Sequence, residues 1–322
     1  KRMRPHTLTV PKPLLPIAGK PIVQRLVEDL SGMTDEEIDE VAFIIADFGE
    51  EVKETLHEVA GNLGAKCSIY KQEKALGTAH AILCAKPSLK GNITIAFADT
   101  LFRANFNIDP SQDGIIWVQK VEEPSSYGVV KINDNNVITD FVEKPDEYVS
   151  NLAIIGIYYI QEGEVLRDEL QYLIDNDIKD KGEYQLTNAL ENMKNKGYQL
   201  VPGEVNEWLD CGKKDMTVHT NQRILEHKKD QKLVADSVVQ ENAEIIQPSF
   251  VGDNVTIKNA VVGPHVSIGD NSTIEKSVIS NTIIQTNAVV KHKVMSNSMI
   301  GNHTTIIGQE EDLSIGDYTE EK

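Results

Sequence analysis

Cations set on a rigid, proline-rich loop open the chain. In the run Lys1-Arg2-Met3-Arg4-Pro5-His6-Thr7, continued by Pro11-Lys12-Pro13-Leu14-Leu15-Pro16, four prolines forbid a helix and stiffen the backbone. An arginine guanidinium offers forked donors to phosphate oxygens, and a lysine offers a point charge. An amphipathic helix with Ile22, Val23, Leu26, Val27 and Leu30 on one face starts near Gly19 to Pro21, so its free N–H groups face the same loop. The chemistry that suits this arrangement is the holding of polyphosphate. A merely solvated basic arm would not alternate prolines with apolar residues or lead into such a helix.

Two acids could complement those cations. Asp99 follows the apolar run 93–98, and a carboxylate at the carboxyl end of a buried strand lies at the ligand edge of an α/β sheet. Asp210 sits in Trp208-Leu209-Asp210-Cys211-Gly212. Each reads alone as a turn or cap aspartate. Together they suit Mg²⁺, which takes one or two carboxylates plus phosphate oxygens. Between them, Lys71-Gln72-Glu73-Lys74-Ala75-Leu76-Gly77-Thr78-Ala79-His80 joins a strand to a helix. There a glycine permits close backbone approach, and an amide can donate and accept together, as a base edge requires. Glu143-Lys144-Pro145 is, unaided, a solvated pair before a turn.

The elements that must position these residues alternate over the first 205 or so positions. Strands are expected at 41–46, 66–70, 93–98, 114–121, 127–132, 137–142, 152–160 and 198–202, with a hairpin at Asn133-Asp134-Asn135-Asn136. Helices are expected at 50–60, 76–85, 164–174, 186–196 and 213–232. Strand–helix alternation with apolar strands implies an α/β fold around a mixed, mainly parallel sheet. The domain so formed spans 1–232. From 233 to 322 charge thins, and Val251-Gly252-Asp253-Asn254, Ile268-Gly269-Asp270-Asn271 and Ile300-Gly301-Asn302-His303 recur, with longer blocks aligning at about 17 residues. An aliphatic residue every five or six positions marks a solenoid rather than a sandwich with frequent turns.

Bulk properties narrow the function. A net charge of −18 disfavours nucleic acid and anionic membrane as partners. Cys67, Cys84 and Cys211 are scattered, without metal-ligand spacing and odd in number, which fits a reduced cytoplasm. No apolar run approaches the ~18 residues of a membrane span.

These motifs, in this order, resemble the sugar-nucleotidyltransferases, or sugar-1-phosphate pyrophosphorylases. The resemblance covers nearly the whole chain and is closest in look to glucose-1-phosphate thymidylyl- and uridylyltransferases. It implies a Rossmann-like catalytic domain followed by a left-handed parallel β-helix of hexapeptide-like repeats. The family pattern begins with a strand and a glycine-rich turn, expected upstream of Lys1. By resemblance Arg2 meets the leaving pyrophosphate, Lys12 the phosphates near the reacting centre, and Lys144 the sugar phosphate. Gln72, Gly77 and Thr78 fall in the base-reading places. Gly128 (in Tyr127-Gly128-Val129-Val130), Glu143 and Asn151 fall on the sugar side, and Glu183 and Tyr184 match a variable sugar-side segment. Asp99 and Asp210 are the implied Mg²⁺ ligands.

The implied reaction joins a nucleoside triphosphate, dTTP or UTP in preference, to a sugar 1-phosphate, glucose 1-phosphate in preference, with release of pyrophosphate. Two other readings share the fold: a catalytically silent regulatory subunit, and a bifunctional enzyme whose β-helix transfers acyl groups. His265, His292 and His303 lack the neighbours an acyltransfer base or metal site needs and read as surface or interface residues. A homo-oligomer formed through the β-helix is expected, because exposed solenoid edges associate unless capped.

Overall fold

A computed structural model describes residues 3–8, 10–46, 48–104 and 108–309. The chain divides into two compact units: Pro11–Leu14 with Ile22–Asp210, and Lys1–Val10 with Leu15–Pro21 and Cys211–Lys322. The helix Lys214–His227, which the sequence places before position 232, thus belongs with the solenoid segment.

The first unit is built on a mixed sheet in the order Leu200–Glu204, Gly114–Lys120, Leu152–Ile160, Gly128–Ile132, Ile138–Glu143, with Ile93–Ala96 also paired to Leu152–Ile160. Leu200–Glu204 runs parallel to Gly114–Lys120, and Glu40–Ile45 runs parallel to Lys66–Lys71. The Leu152–Ile160 strand is antiparallel to all three of its neighbours. Eight of its nine residues are buried, so it reads as a continuous apolar run whatever its partners' direction. The hairpin turn forms as expected: Asn133 Oδ1 accepts from the amides of Asn135 and Val137, and Asn136 adopts a φ of 58°. Helices Gly163–Asp175 and Leu186–Asn195 cover the sheet with Leu166, Leu170 and Leu173 and with Ala189, Leu190 and Met193.

Two short strands escape the sequence pattern, Thr100–Arg103 and Glu207–Asp210, which pair antiparallel. The expected strand 93–98 ends at Ala96, and Phe97 starts a turn that leads into Thr100. A four-residue strand carries too few alternations to be read by period.

The second unit contains a parallel β-helix of three sheets. Ile257, Val262, Ile268, Ile274, Ile279, Ile284 and Val290 point inward and form one apolar core. Thr256 pairs with Thr273 and Thr273 with Val289, so the coil shortens from seventeen to sixteen residues partway up. The corners explain the polar repeats. Three columns of left-handed residues stack along the solenoid: Asn242, Asn259, Lys276 and His292; Asn254, Asn271, Asn287 and His303; and His265, Asn281 and Asn297. Asparagine and histidine tolerate this conformation better than most residues. Each of the three histidines therefore stands in a different column, filling a place where asparagine otherwise recurs.

Asn271, at φ 57°, provides a test. Asn271→Val is expected to lower unfolding free energy by ~1–3 kcal/mol, and Asn271→Gly by clearly less, since only the β-branched residue is strained there. Urea unfolding followed by circular dichroism measures both.

Candidate functional site

Lys12 lies in a short 3-10 turn, Lys12–Leu14, closed by the Leu14 amide on the Pro11 carbonyl at 2.9 Å. The flanking prolines hold its backbone, and its ammonium donates to Asp99 Oδ2 at 2.8 Å. The lysine side chain is 22% exposed and the aspartate 47%, so the pair faces solvent.

Asp99 is fixed from behind. The Phe97 amide donates to Gly156 O, and the Thr100 amide returns to Phe97 O. Thr100 is buried and its hydroxyl donates to the Ile155 carbonyl at 2.8 Å. Gly156 adopts φ 88° at an irregularity in the long strand, and a Cβ there would lie 2.9 Å from the Phe97 ring. That glycine admits the turn that presents Asp99.

The ladder Thr100–Arg103 with Glu207–Asp210 sets Thr100 opposite Asp210. Opposed residues in an antiparallel ladder lie ~4.5–5.5 Å apart at Cα, which puts the Cα of Asp99, one residue on, roughly 6–7 Å from the Cα of Asp210. Both acids thus occupy one end of a two-stranded ribbon, with Lys12 against the first. Among the described residues no cluster of three or more His, Cys, Asp or Glu side chains could hold a metal alone. A two-carboxylate set fits Mg²⁺, which keeps waters and takes phosphate oxygens for its remaining positions.

Lys144 follows the sheet strand Ile138–Glu143 and has φ 41°, an unusual conformation for a lysine that precedes proline. Its amide donates to the Tyr127 carbonyl at 3.1 Å, and its ammonium meets Glu143 Oε1 at 3.1 Å. Glu143 pairs in register with Gly128, where a Cβ would come within 3.1 Å of Glu143 Oε2. The same oxygen accepts from the Thr187 hydroxyl at 3.4 Å. Burial, with the Glu143 charge adding to it, pushes the Tyr158 hydroxyl well above its ordinary pKa. The Tyr127 ring packs edge-on against Trp208 at 5.1 Å, so the lysine turn and the Asp210 strand share an aromatic contact.

The third group gathers around Gly77, whose φ is 118°. A Cβ there would collide with the Tyr184 backbone, so the space left by the glycine is filled by the protein's own chain. The Ala79 amide donates to Tyr184 O, and the Tyr184 amide donates to Leu76 O. Thr78 Oγ1 accepts from the Leu186 amide at 2.9 Å and contacts Gln185 Oε1 at 3.3 Å. Gln72 turns its amide nitrogen to Gly77 O at 3.2 Å and to His80 Nδ1 at 3.1 Å. Asn151 is exposed, and its carbonyl accepts from the Val121 amide.

The sequence-derived residues thus gather in three groups within one unit: Lys12, Asp99 and Asp210; Gly128, Glu143 and Lys144; and Gln72, Gly77 and Thr78. Arg2 lies outside the described residues. Thr100, Tyr127, His80, Gln185 and Thr187 carry positioning contacts to which the sequence reading gives no role. Tyr127 and His80 lie within motifs, and Thr100 directly follows Asp99, whereas Gln185 and Thr187 stand outside any motif.

A protein-family model described as nucleotidyl transferase matches residues 1–227. The chain belongs to that family. Its relatives include the low-salt glycan biosynthesis nucleotidyltransferase Agl11 of Haloferax volcanii, 30% identical over 236 residues, covering 70% of this chain and 64% of that protein. The bifunctional protein GlmU of Methanococcus maripaludis is 31% identical over 227 residues, covering 70% of this chain and 52% of its own length. The chain therefore spans less than two thirds of the length of either relative. A crystal structure of UDP-glucose pyrophosphorylase complexed with UDP-glucose shares the fold, with a TM-score of 0.55 and 24% identity over 70% of this chain and 94% of that one.

Gly77→Ala tests the third group. Forcing the Tyr184 backbone away is expected to cost ~1–3 kcal/mol of unfolding free energy and to raise proteolytic cleavage between 72 and 80. Urea unfolding and limited proteolysis report the two effects.

Proposed function

We propose that the protein transfers a nucleotidyl group from a nucleoside triphosphate to a sugar 1-phosphate. The sugar phosphate oxygen attacks the α-phosphorus, a new P–O bond forms, the α–β bridge breaks, and pyrophosphate leaves. Family membership supports the reaction class. The observation that carries the assignment is the placing of Asp99 and Asp210 at one end of a two-stranded ladder, with the Lys12 ammonium on Asp99.

The attacker is already anionic, so no general base is required. The barrier lies in bringing together two negatively charged reactants, and alignment with charge neutralisation lowers it. Mg²⁺ held by Asp99 and Asp210 would neutralise charge on the triphosphate. Lys12 would leave Asp99 for a phosphate oxygen, an exchange between partners that both reach solvent and that costs little. Lys144 would grip the sugar phosphate, and Glu143, packed against Gly128, would accept from sugar hydroxyls. Arg2 would meet the departing pyrophosphate.

The nucleotide we assign is dTTP or UTP and the sugar glucose 1-phosphate. Gln72 with Leu76-Gly77-Thr78 and the segment Ser150-Asn151-Leu152-Ala153 support this choice. The three scattered cysteines support a place in a reducing cytoplasm; no helix among the described residues is long and apolar enough to cross a membrane. The placing of His265, His292 and His303 in separate corner columns speaks against an acyltransfer site built on them.

Pyrophosphate release measured across four nucleoside triphosphates and several hexose 1-phosphates tests the reading. Turnover is expected with a pyrimidine triphosphate, Mg²⁺ and glucose 1-phosphate. Asp210→Asn and Lys144→Ala should each lower kcat/KM by ~10²–10³-fold, the loss typical of a removed transition-state contact. Release with no pair, or full turnover in both variants, would overturn it.

A further inference from the structure

The side-chain amide of Gln72 can sit only one way round. Its nitrogen lies 3.2 Å from the Gly77 carbonyl and 3.1 Å from His80 Nδ1. A carbonyl oxygen can only accept, so the end of the amide turned toward Gly77 must be the NH₂ group. An oxygen there would set lone pairs against lone pairs. That choice also fixes the imidazole. An amide nitrogen donates and does not accept, so His80 Nδ1 must be the acceptor, and the ring proton stands on Nε2.

Both ends of this contact are held by backbone. Gln72 directly follows strand Lys66–Lys71, and its main-chain N–H donates to the Ile45 carbonyl of the neighbouring strand at 2.9 Å. His80 stands in helix Thr78–Cys84, next to the fully buried Ala79, whose N–H donates to the Tyr184 carbonyl at 2.9 Å. The Gly77 carbonyl also accepts from the Ala81 amide at 3.1 Å, which sets it in the first turn of that helix. The two hydrogens of the Gln72 side chain are thus divided between two fixed acceptors. Its Oε1 meets no donor among the described residues and is not buried, so it reaches solvent as an acceptor.

We propose that His80 is a positioning residue that selects the nucleobase: by taking one hydrogen of the Gln72 nitrogen it leaves only the oxygen to face the ligand, and the site accepts a pyrimidine whose ring nitrogen carries a proton. This rests on the reading of Gln72 as the residue that meets the base. Uracil and thymine bring N3–H to such an oxygen. Cytosine, held in the same pose by its ribose and triphosphate, brings a bare N3, and two lone pairs then face each other. Reaching its N4 amine instead would require the ring to slide. A glutamine with an undivided amide could serve either base, accepting from N3–H or donating to a bare N3. The amide alone is indifferent, so the discrimination against cytosine lies in the histidine behind it.

Two measurements on the full chain test this, and neither needs turnover. In nitrogen NMR of protein isotope-labelled at its eight histidines, the His80 signals, identified by their loss in His80→Asn, are expected to show a bare Nδ1 and a protonated Nε2 before any nucleotide is added. A proton on Nδ1 would overturn the proposal. Calorimetry then compares the Kd values of UTP and CTP in the presence of Mg²⁺. The wild type is expected to favour UTP, and His80→Leu, which leaves one amide hydrogen for the ligand, to lower that preference by about 10-fold or more. His80→Asn, whose Oδ1 can accept in place of Nδ1, should retain it to within about 3-fold. A merely structural role for His80 would weaken both triphosphates together and leave their ratio alone. A wild type that favours CTP or binds neither, a ratio unmoved by His80→Leu, or one lost equally in His80→Asn would overturn the proposal. Gln72→Leu locates the fault: if it too leaves the ratio unmoved, the reading of Gln72 falls, and if it abolishes the ratio while His80→Leu does not, the role of His80 alone falls.

Discussion

The structure depends at its working end on one antiparallel ribbon, Thr100–Arg103 against Glu207–Asp210. It is the device that brings together two acids far apart in the chain. The ion pair between Lys12 and Asp99 does not hold this arrangement, because pairs with this exposure contribute only ~0–1 kcal/mol. The buried Thr100 hydroxyl on the Ile155 carbonyl and the ladder itself do so, and an unpaired buried carbonyl would cost ~1–3 kcal/mol. This division suits a site that exchanges partners. The backbone behind the carboxylates is fixed, whereas the cation in front of them is cheaply displaced.

Around the ribbon, backbone conformations of high intrinsic energy are retained where neighbours compensate them. Lys144 keeps its positive φ because the Tyr127 carbonyl accepts its amide, and Tyr127 in turn leans on Trp208, two residues from Asp210. Gly156 and Gly77 serve similar ends by different means. One lets a turn through the sheet, and the other lets the segment carrying Tyr184 cross a loop. Local strain of this kind concentrates where geometry has been held for a purpose.

Much of this was legible in the amino-acid order, and the limits are physical. Long periodic segments such as 152–160, 164–174 and 186–196 declared themselves because their apolar spacing persists over several turns or pleats. The solenoid was legible because its coils repeat, although the change from seventeen to sixteen residues was hidden by a repeat that is only approximate. The ribbon was not legible, since four residues show too little alternation and its partner strand lies far along the chain. Strand direction was hidden for the same reason. Ile154 and Ile157 are buried among antiparallel neighbours as fully as they would be among parallel ones. The glycine in Leu76-Gly77-Thr78 was read as room for a ligand, yet its space is taken by the Tyr184 backbone, which no local pattern announces. The histidines of the solenoid find their explanation only once the corner columns are seen.

The central claim is that Asp99 and Asp210 serve one divalent ion. Electron paramagnetic resonance of Mn²⁺, added with a nucleoside triphosphate to the wild type and to Asp99→Asn and Asp210→Asn, tests it without reference to turnover. The account predicts a protein-bound Mn²⁺ signal in the wild type that weakens strongly in either variant alone. Binding that survives unchanged in both, or that depends on one aspartate and ignores the other, would contradict it.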